Sequence, residues 1–96
     1  MTTISVNKTL GVALNPASYS NPVVIEAGVT ISNNSGASAI SVSGAAATFI
    51  IQNNGVIDGP GYFSGIGVYL SPGGSVTNAA TASISGGSGI LIRHSA

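Results

Sequence analysis

The sequence predicts an all-β fold: a single-stranded parallel β-helix, or β-solenoid, with three short strands per coil, about 26 residues per coil and roughly three and a half coils. Three observations predict it. Ile (11) and Val (9) outnumber Leu (4) five to one, and β-branched side chains crowd a helical turn but suit a pleated strand. Apolar residues fall in short period-two clusters such as Ile40-Ser41-Val42, Ile66-Gly67-Val68 and Ile90-Leu91-Ile92, separated by Gly, Asn and Pro turns. Aliphatic positions also return at a fixed interval: Val24, Ile50 and Val76 at 26 and 26, Ile31, Ile57 and Ile84 at 26 and 27, Ile40, Ile66 and Ile90 at 26 and 24. Antiparallel hairpins or a sandwich would impose no such register.

In chain order, residues 1–22 form an irregular opening coil or partial cap, because Asn15-Pro16 and Asn21-Pro22 interrupt strand pairing. Here the interval from Ile4 to Ile31 is 27, and that from Val12 and Leu14 to Ile40 and Val42 is 28. Residues 23–48, 49–74 and 75–96 then form one coil each, making 1–96 a single domain. The steps from Val24 through Ile31 and Ile40 to Ile50 are 7, 9 and 10, and they repeat from Ile50 through Ile57 and Ile66 to Val76. The third coil shortens in the turn Ser85 to Gly89, where length variation costs little. One inward face is built from Val29/Ile31, Gly55/Ile57 and Ala82/Ile84, another from Ile40/Val42, Ile66/Val68 and Ile90/Ile92. Thr30, Val56, Ser83, Ser41, Gly67 and Leu91 point outward between them. Glu26, Gln52 and Asn78 recur one repeat apart after the first strand of each coil, a spacing that predicts a ladder of polar side chains along the axis.

Composition narrows the function. Two Lys+Arg balance two Asp+Glu, so no net field steers nucleic acid or an anionic membrane toward the chain. Ser (15), Thr (7), Asn (8) and Gly (14) supply a surface of hydroxyls, amides and bare backbone. Cysteine is absent, which excludes disulfides, thiol catalysis and Cys-ligated zinc. Mean hydropathy is positive, yet the longest apolar run, allowing Thr48, reaches only from Ala45 to Ile51, far from the roughly 20 residues of a spanning helix. Membrane insertion is not expected. Met1 to Ile4 shows no basic, apolar pattern of an ordinary secretory signal.

No catalytic, metal or cofactor site is expected. Glu26 and Asp58 are the only carboxylate side chains, and the repeat sets them at different corners, away from the ~5–9 Å pairing of a glycosidase. His94 stands beside Arg93 near the terminus without a sequence partner. Calcium-binding nonapeptide repeats need an Asp in every turn, and this chain has one in total. Asn7-Lys8-Thr9 and Asn33-Asn34-Ser35 match the glycosylation pattern. Ice binding would need Thr in register where Thr30, Val56 and Ser83 stand.

The run Ser75-Val76-Thr77-Asn78-Ala79-Ala80-Thr81-Ala82-Ser83-Ile84-Ser85-Gly86-Gly87, preceded by Gly65-Ile66-Gly67-Val68-Tyr69-Leu70 and Gly73-Gly74, resembles the repeat of bacterial β-strand-repeat surface proteins, the passenger-like β-helices of autotransporter and adhesin type. Gly11-Val12-Ala13-Leu14-Asn15-Pro16 and Ala27-Gly28-Val29-Thr30-Ile31 resemble the opening of such proteins. The resemblance implies a β-helix fold and an extracellular or cell-surface location.

A short solenoid has end rungs with unpaired backbone groups and a slice of aliphatic core. Stacking the last coil of one copy on the first coil of another continues the columns, and such a contact does not close. The expected function is therefore a non-catalytic structural protein of the bacterial surface or extracellular matrix, its partner a second copy of itself, assembling head to tail into a fibre. The alternative is an adhesin-type module contacting glycan or a host surface through Tyr62 and Tyr69.

Overall fold

The structure, a computed structural model, describes residues 1–14, 18–33, 38–42, 48–60, 65–70 and 73–92. These form eleven short strands and no helix: β1 (Thr2–Ile4), β2 (Val12–Ala13), β3 (Val23–Ile25), β4 (Thr30–Ser32), β5 (Ser38–Val42), β6 (Phe49–Asn53), β7 (Val56–Asp58), β8 (Ile66–Leu70), β9 (Gly74–Asn78), β10 (Ser83–Ser85) and β11 (Ser88–Ile92). The expected all-β, parallel character is present. Every strand pairing is parallel, within three sheets ordered β1-β3-β6-β9, β4-β7-β10 and β2-β5-β8-β11. From β3 onward, successive strands belong to the first, second and third sheet in turn. Between β1 and β2, Lys8 makes a parallel bridge to Ile31 and so occupies the first position of the second sheet's ladder.

Paired residues in a parallel ladder share a face, so the pairings define the columns of the core. In the second sheet the column is Ile31, Ile57, Ile84, as the sequence predicts. The first sheet differs. Its inward columns are Thr2, Val23, Ile51, Val76 and Ile4, Ile25, Asn53, Asn78. Val24 instead pairs with Gln52, while Ile50 pairs with Ser75 and is 44% exposed. Ile4 belongs to this sheet and not below Ile31. In the third sheet Val12, Ile40, Val68 and Ile90 form one column, Val42 and Leu70 the next, and the backbone of Ile92 pairs with that of Leu70; Ile66 aligns with Ser38 and Ser88, two positions before its expected place.

The reason is the corners. The column intervals are 26 and 27 from Ile31 to Ile84, but 28 and 25 from Val23 to Val76, and 28 and 22 from Ile40 to Ile90. Corner length varies along the chain, so a fixed period of 26 holds only in the second sheet. In strands with period-two side chains, an error of one position exchanges the inner and outer faces.

The core is aliphatic and continuous. Val23, Ile25, Ile31, Ile40, Val42, Ile51, Ile57, Val68 and Leu70 are fully buried, with Phe49 added where β6 starts. Each such aliphatic side chain contributes ~1.5–3 kcal/mol of transfer free energy. Gly74, opposite Phe49, has φ of 140°, a conformation open to glycine, and a Cβ there would run into the Phe49 carbonyl.

Candidate functional site

Among the described residues, neither end of the three ladders has a further strand beyond it, and the two ends differ. At the N-terminal end, the inward positions are Thr2 and Ile4 in the first sheet, Lys8 in the second, and Val12 in the third. Ile4 and Val12 are each only 5% exposed, and Leu14 is also buried. Residues of the opening segment supply cover: Tyr19 packs against the core, and Ser20 N–H donates to Thr2 Oγ1 (2.8 Å) while the terminal ammonium donates to Ser20 Oγ (3.0 Å). Lys8 is tied through its backbone, its N–H donating to Thr30 O (3.0 Å) and its carbonyl accepting from Ser32 N–H (2.8 Å).

At the C-terminal end, the inward positions Val76 and Ile84 are half-buried against the core and Ile90 is 44% exposed. Each sheet thus ends on one inward aliphatic residue, with Asn78 beside Val76 in the first. The backbone of this rung is also unsatisfied in a definite pattern. Each residue of a central parallel strand directs its N–H and C=O to one neighbouring strand, and the next residue directs them to the other. Ala79 N–H donates to Asn53 O (2.9 Å), so Thr77 and Ser75 face β6 while Val76 and Asn78 direct their amide and carbonyl off the sheet. By the same alternation, Thr2 N–H donating to Pro22 O and Ile4 O accepting from Glu26 N–H (both 3.1 Å) leave the Thr3 N–H and C=O on the free edge of β1.

A polar cluster lies just below this C-terminal rung. Asn53 is the one buried polar residue among those described, 1% exposed. Its Nδ2 lies 3.2 Å from Gly55 O, 3.0 Å from Ser83 O and 2.9 Å from Asn78 Oδ1, and Gly55 N–H donates to its Oδ1 (3.1 Å). Two hydrogens serve three acceptors, so one is shared. Asn78 Nδ2 donates in turn to Ala82 O (3.0 Å). A side-chain ladder thus exists, but its members are Asn53 and Asn78. Glu26 is exposed in the turn before β4, and Gln52 is exposed on the outer face of β6, so neither joins it. The signal that could have located Asn53 is its place two positions before Gly55, where an Asn side chain folds back on its own turn.

Other asparagines serve the backbone likewise. Asn7 Oδ1 accepts from Thr30 N–H (2.8 Å), and Asn33 Nδ2 donates to Ser38 O (2.8 Å), so both asparagines of the glycosylation-like patterns are engaged within the fold. Asn21 Oδ1 accepts from Ile50 N–H (2.8 Å) and its Nδ2 donates to Thr48 O (3.0 Å).

The acidic residues are not brought together. Glu26 lies ahead of β4, and Asp58 ends β7, accepting from Ser85 Oγ (3.2 Å). Among the described residues no group of three or more His, Asp or Glu gathers, and no helix is long and apolar enough to cross a membrane. Tyr69 is half-buried on the outer face of β8, next to Ser41 of β5. Tyr62, Phe63, Arg93 and His94 lie outside the described residues, as do the side chains of Leu91 and Ile92. No protein-family model, curated protein or solved structure matches this chain.

Proposed function

We propose that the chain is a β-solenoid of three strands and about 26 residues per coil, a non-catalytic structural protein that assembles head to tail with copies of itself into a fibre. Its setting is the bacterial surface or an extracellular matrix, as the resemblance to β-strand-repeat surface proteins implies. The rotation of successive strands through three parallel sheets supports the coil reading. The observation that carries the function is the C-terminal rung, where Val76, Ile84 and Ile90 stand partly uncovered beside the off-sheet amides and carbonyls of Val76 and Asn78.

Sedimentation velocity and electron microscopy across a concentration series test this. Assemblies lengthening with concentration are expected from the wild-type chain, and Ile90→Lys, at a position already 44% exposed, abolishes them while leaving the monomer folded. A monodisperse 9.3 kDa species at the highest concentration reached overturns the proposal.

A second reading rests on Tyr69, whose half-buried ring on the outer face of β8 beside Ser41 offers a platform for a sugar. A glycan array whose signal survives Tyr69→Ala removes that reading.

A further inference from the structure

The two ends that a head-to-tail joint would bring together match in backbone and conflict in one side chain. Continuing the first sheet's register places Val76 opposite Thr2 of the next copy, Thr77 opposite Thr3 and Asn78 opposite Ile4, because Thr2, Val23, Ile51 and Val76 already form one column. In that register Thr3 N–H meets the Val76 carbonyl and Asn78 N–H meets the Thr3 carbonyl, the groups each edge leaves unpaired. The third sheet continues with Ile90 on Val12. In the second sheet, however, the column Ile31, Ile57, Ile84 is followed by Lys8, since Lys8 holds the position before Ile31.

We infer that Lys8 is a gate on self-association: it occupies the inward position of the receiving rung and limits how strongly a second copy's Ile84 can seat there. This rests on the head-to-tail reading and adds to it the residue that sets the strength of the joint. An inward-pointing charge on an edge is a device by which β proteins resist edge-to-edge pairing. Burying an unpaired ammonium is prohibitive, so the joint forms only when the Lys8 stem lies across Ile84 and its head reaches the rim. Rungs are spaced about 4.8 Å, which sets Lys8 of the incoming copy about two rungs, roughly 10 Å along the axis, from exposed Asp58, the acid of that sheet. The other receiving positions do little to offset the cost. Ile4, Val12 and Leu14 are already covered by their own chain, and Thr2 is engaged with Ser20.

The test uses the whole chain, wild type against Lys8→Leu and Lys8→Arg, with concentration-dependent assembly read by sedimentation velocity and fold checked by circular dichroism. Lys8→Leu is expected to lower the concentration for half-assembly at least tenfold, while Lys8→Arg stays near wild type. A second measurement fixes the geometry. The chain has no cysteine, so Thr3→Cys and Thr77→Cys provide single thiols at exposed positions. When the two proteins are mixed and oxidised, the mixed dimer should dominate over either homodimer. Assembly that Lys8→Leu does not strengthen overturns the gate while head-to-tail association stands. Absence of assembly in the wild type, or crosslinking confined to Thr77→Cys homodimers, overturns the head-to-tail reading itself.

Discussion

Removing the Asn53 carboxamide should destabilise the chain more than any other single polar truncation in the fold. In Asn53→Ala, four contacts vanish: Gly55 N–H loses its acceptor, and Gly55 O, Ser83 O and Asn78 Oδ1 lose a donor. Gly55 O still receives Ser83 N–H at 3.1 Å, so the severe loss is the Gly55 N–H, left unpaired in a buried turn. A stranded buried donor costs ~1–3 kcal/mol and the bonds of the two Nδ2 hydrogens ~0.5–1.5 kcal/mol each, so a net loss of about 2–6 kcal/mol is expected. For a chain of this size that corresponds to a fall in Tm of about 10–30 °C. Urea unfolding followed by far-UV circular dichroism, at a concentration where the protein is monomeric, measures it. Exposed Asn54→Ala is the control and should stay within ~0.5 kcal/mol. Asn53→Asp sharpens the argument, because its carboxylate would face the three oxygens that now accept from Nδ2. The folded state then favours the protonated acid and raises its pKa above the unfolded value of about 3.9. The extra penalty is therefore present in full above the folded-state pKa and is withdrawn as pH falls toward the unfolded one. An Asn53→Ala variant as stable as the Asn54→Ala control, or an Asn53→Asp variant that does not recover on acidification, would refute the ladder as a structural element.

Three further outcomes rest on the observed register and contacts. Ile51→Ala should cost ~2–5 kcal/mol by opening a cavity under a fully buried side chain, while Ile50→Ala, on the exposed face, costs under ~1 kcal/mol; paired denaturation curves that reverse this order reject the first-sheet register. Gly55→Ala should lose about 1–3 kcal/mol, since a Cβ at that site meets the carbonyl oxygens of Val29 and Glu26; a Tm equal to wild type argues against the close approach of those backbones. Asn21→Ala removes the side-chain contacts to Thr48 O and Ile50 N–H at an exposed site, and a modest loss of ~0.5–1.5 kcal/mol is expected, with hydrogen exchange at the Ile50 amide accelerating more than at Ile51.

Strand formation and parallel stacking were legible in the sequence because they depend on local chemistry. β-branched pairs at alternate positions, bounded by Gly and Asn, can bury one face only by lying in register with like pairs. Ile31, Ile57 and Ile84 do so at nearly constant spacing. Register in the other two sheets was not legible, because it depends on how much chain each corner uses. The step from Val42 to Phe49 is 7, whereas that between the equivalent positions Leu70 and Gly74 is 4, and nothing in the composition of a Gly- and Ser-rich turn fixes that difference. This is why Val24 and Ile50 looked like core and Gln52 like a ladder member, while the buried amide belonged to Asn53, its immediate neighbour.

The sequence by itself determined that the chain forms strands and that they stack in parallel, since β-branched pairs at alternate positions call for strands and the return of Ile31, Ile57 and Ile84 at a near-constant interval calls for parallel register. Tertiary structure alone decided which member of each apolar pair faces inward, that one asparagine is drawn inside by its turn, and that the two end rungs differ. The inward face of a rung is set by its neighbours across the ladder, and those neighbours are remote along the chain, beyond the reach of any local pattern.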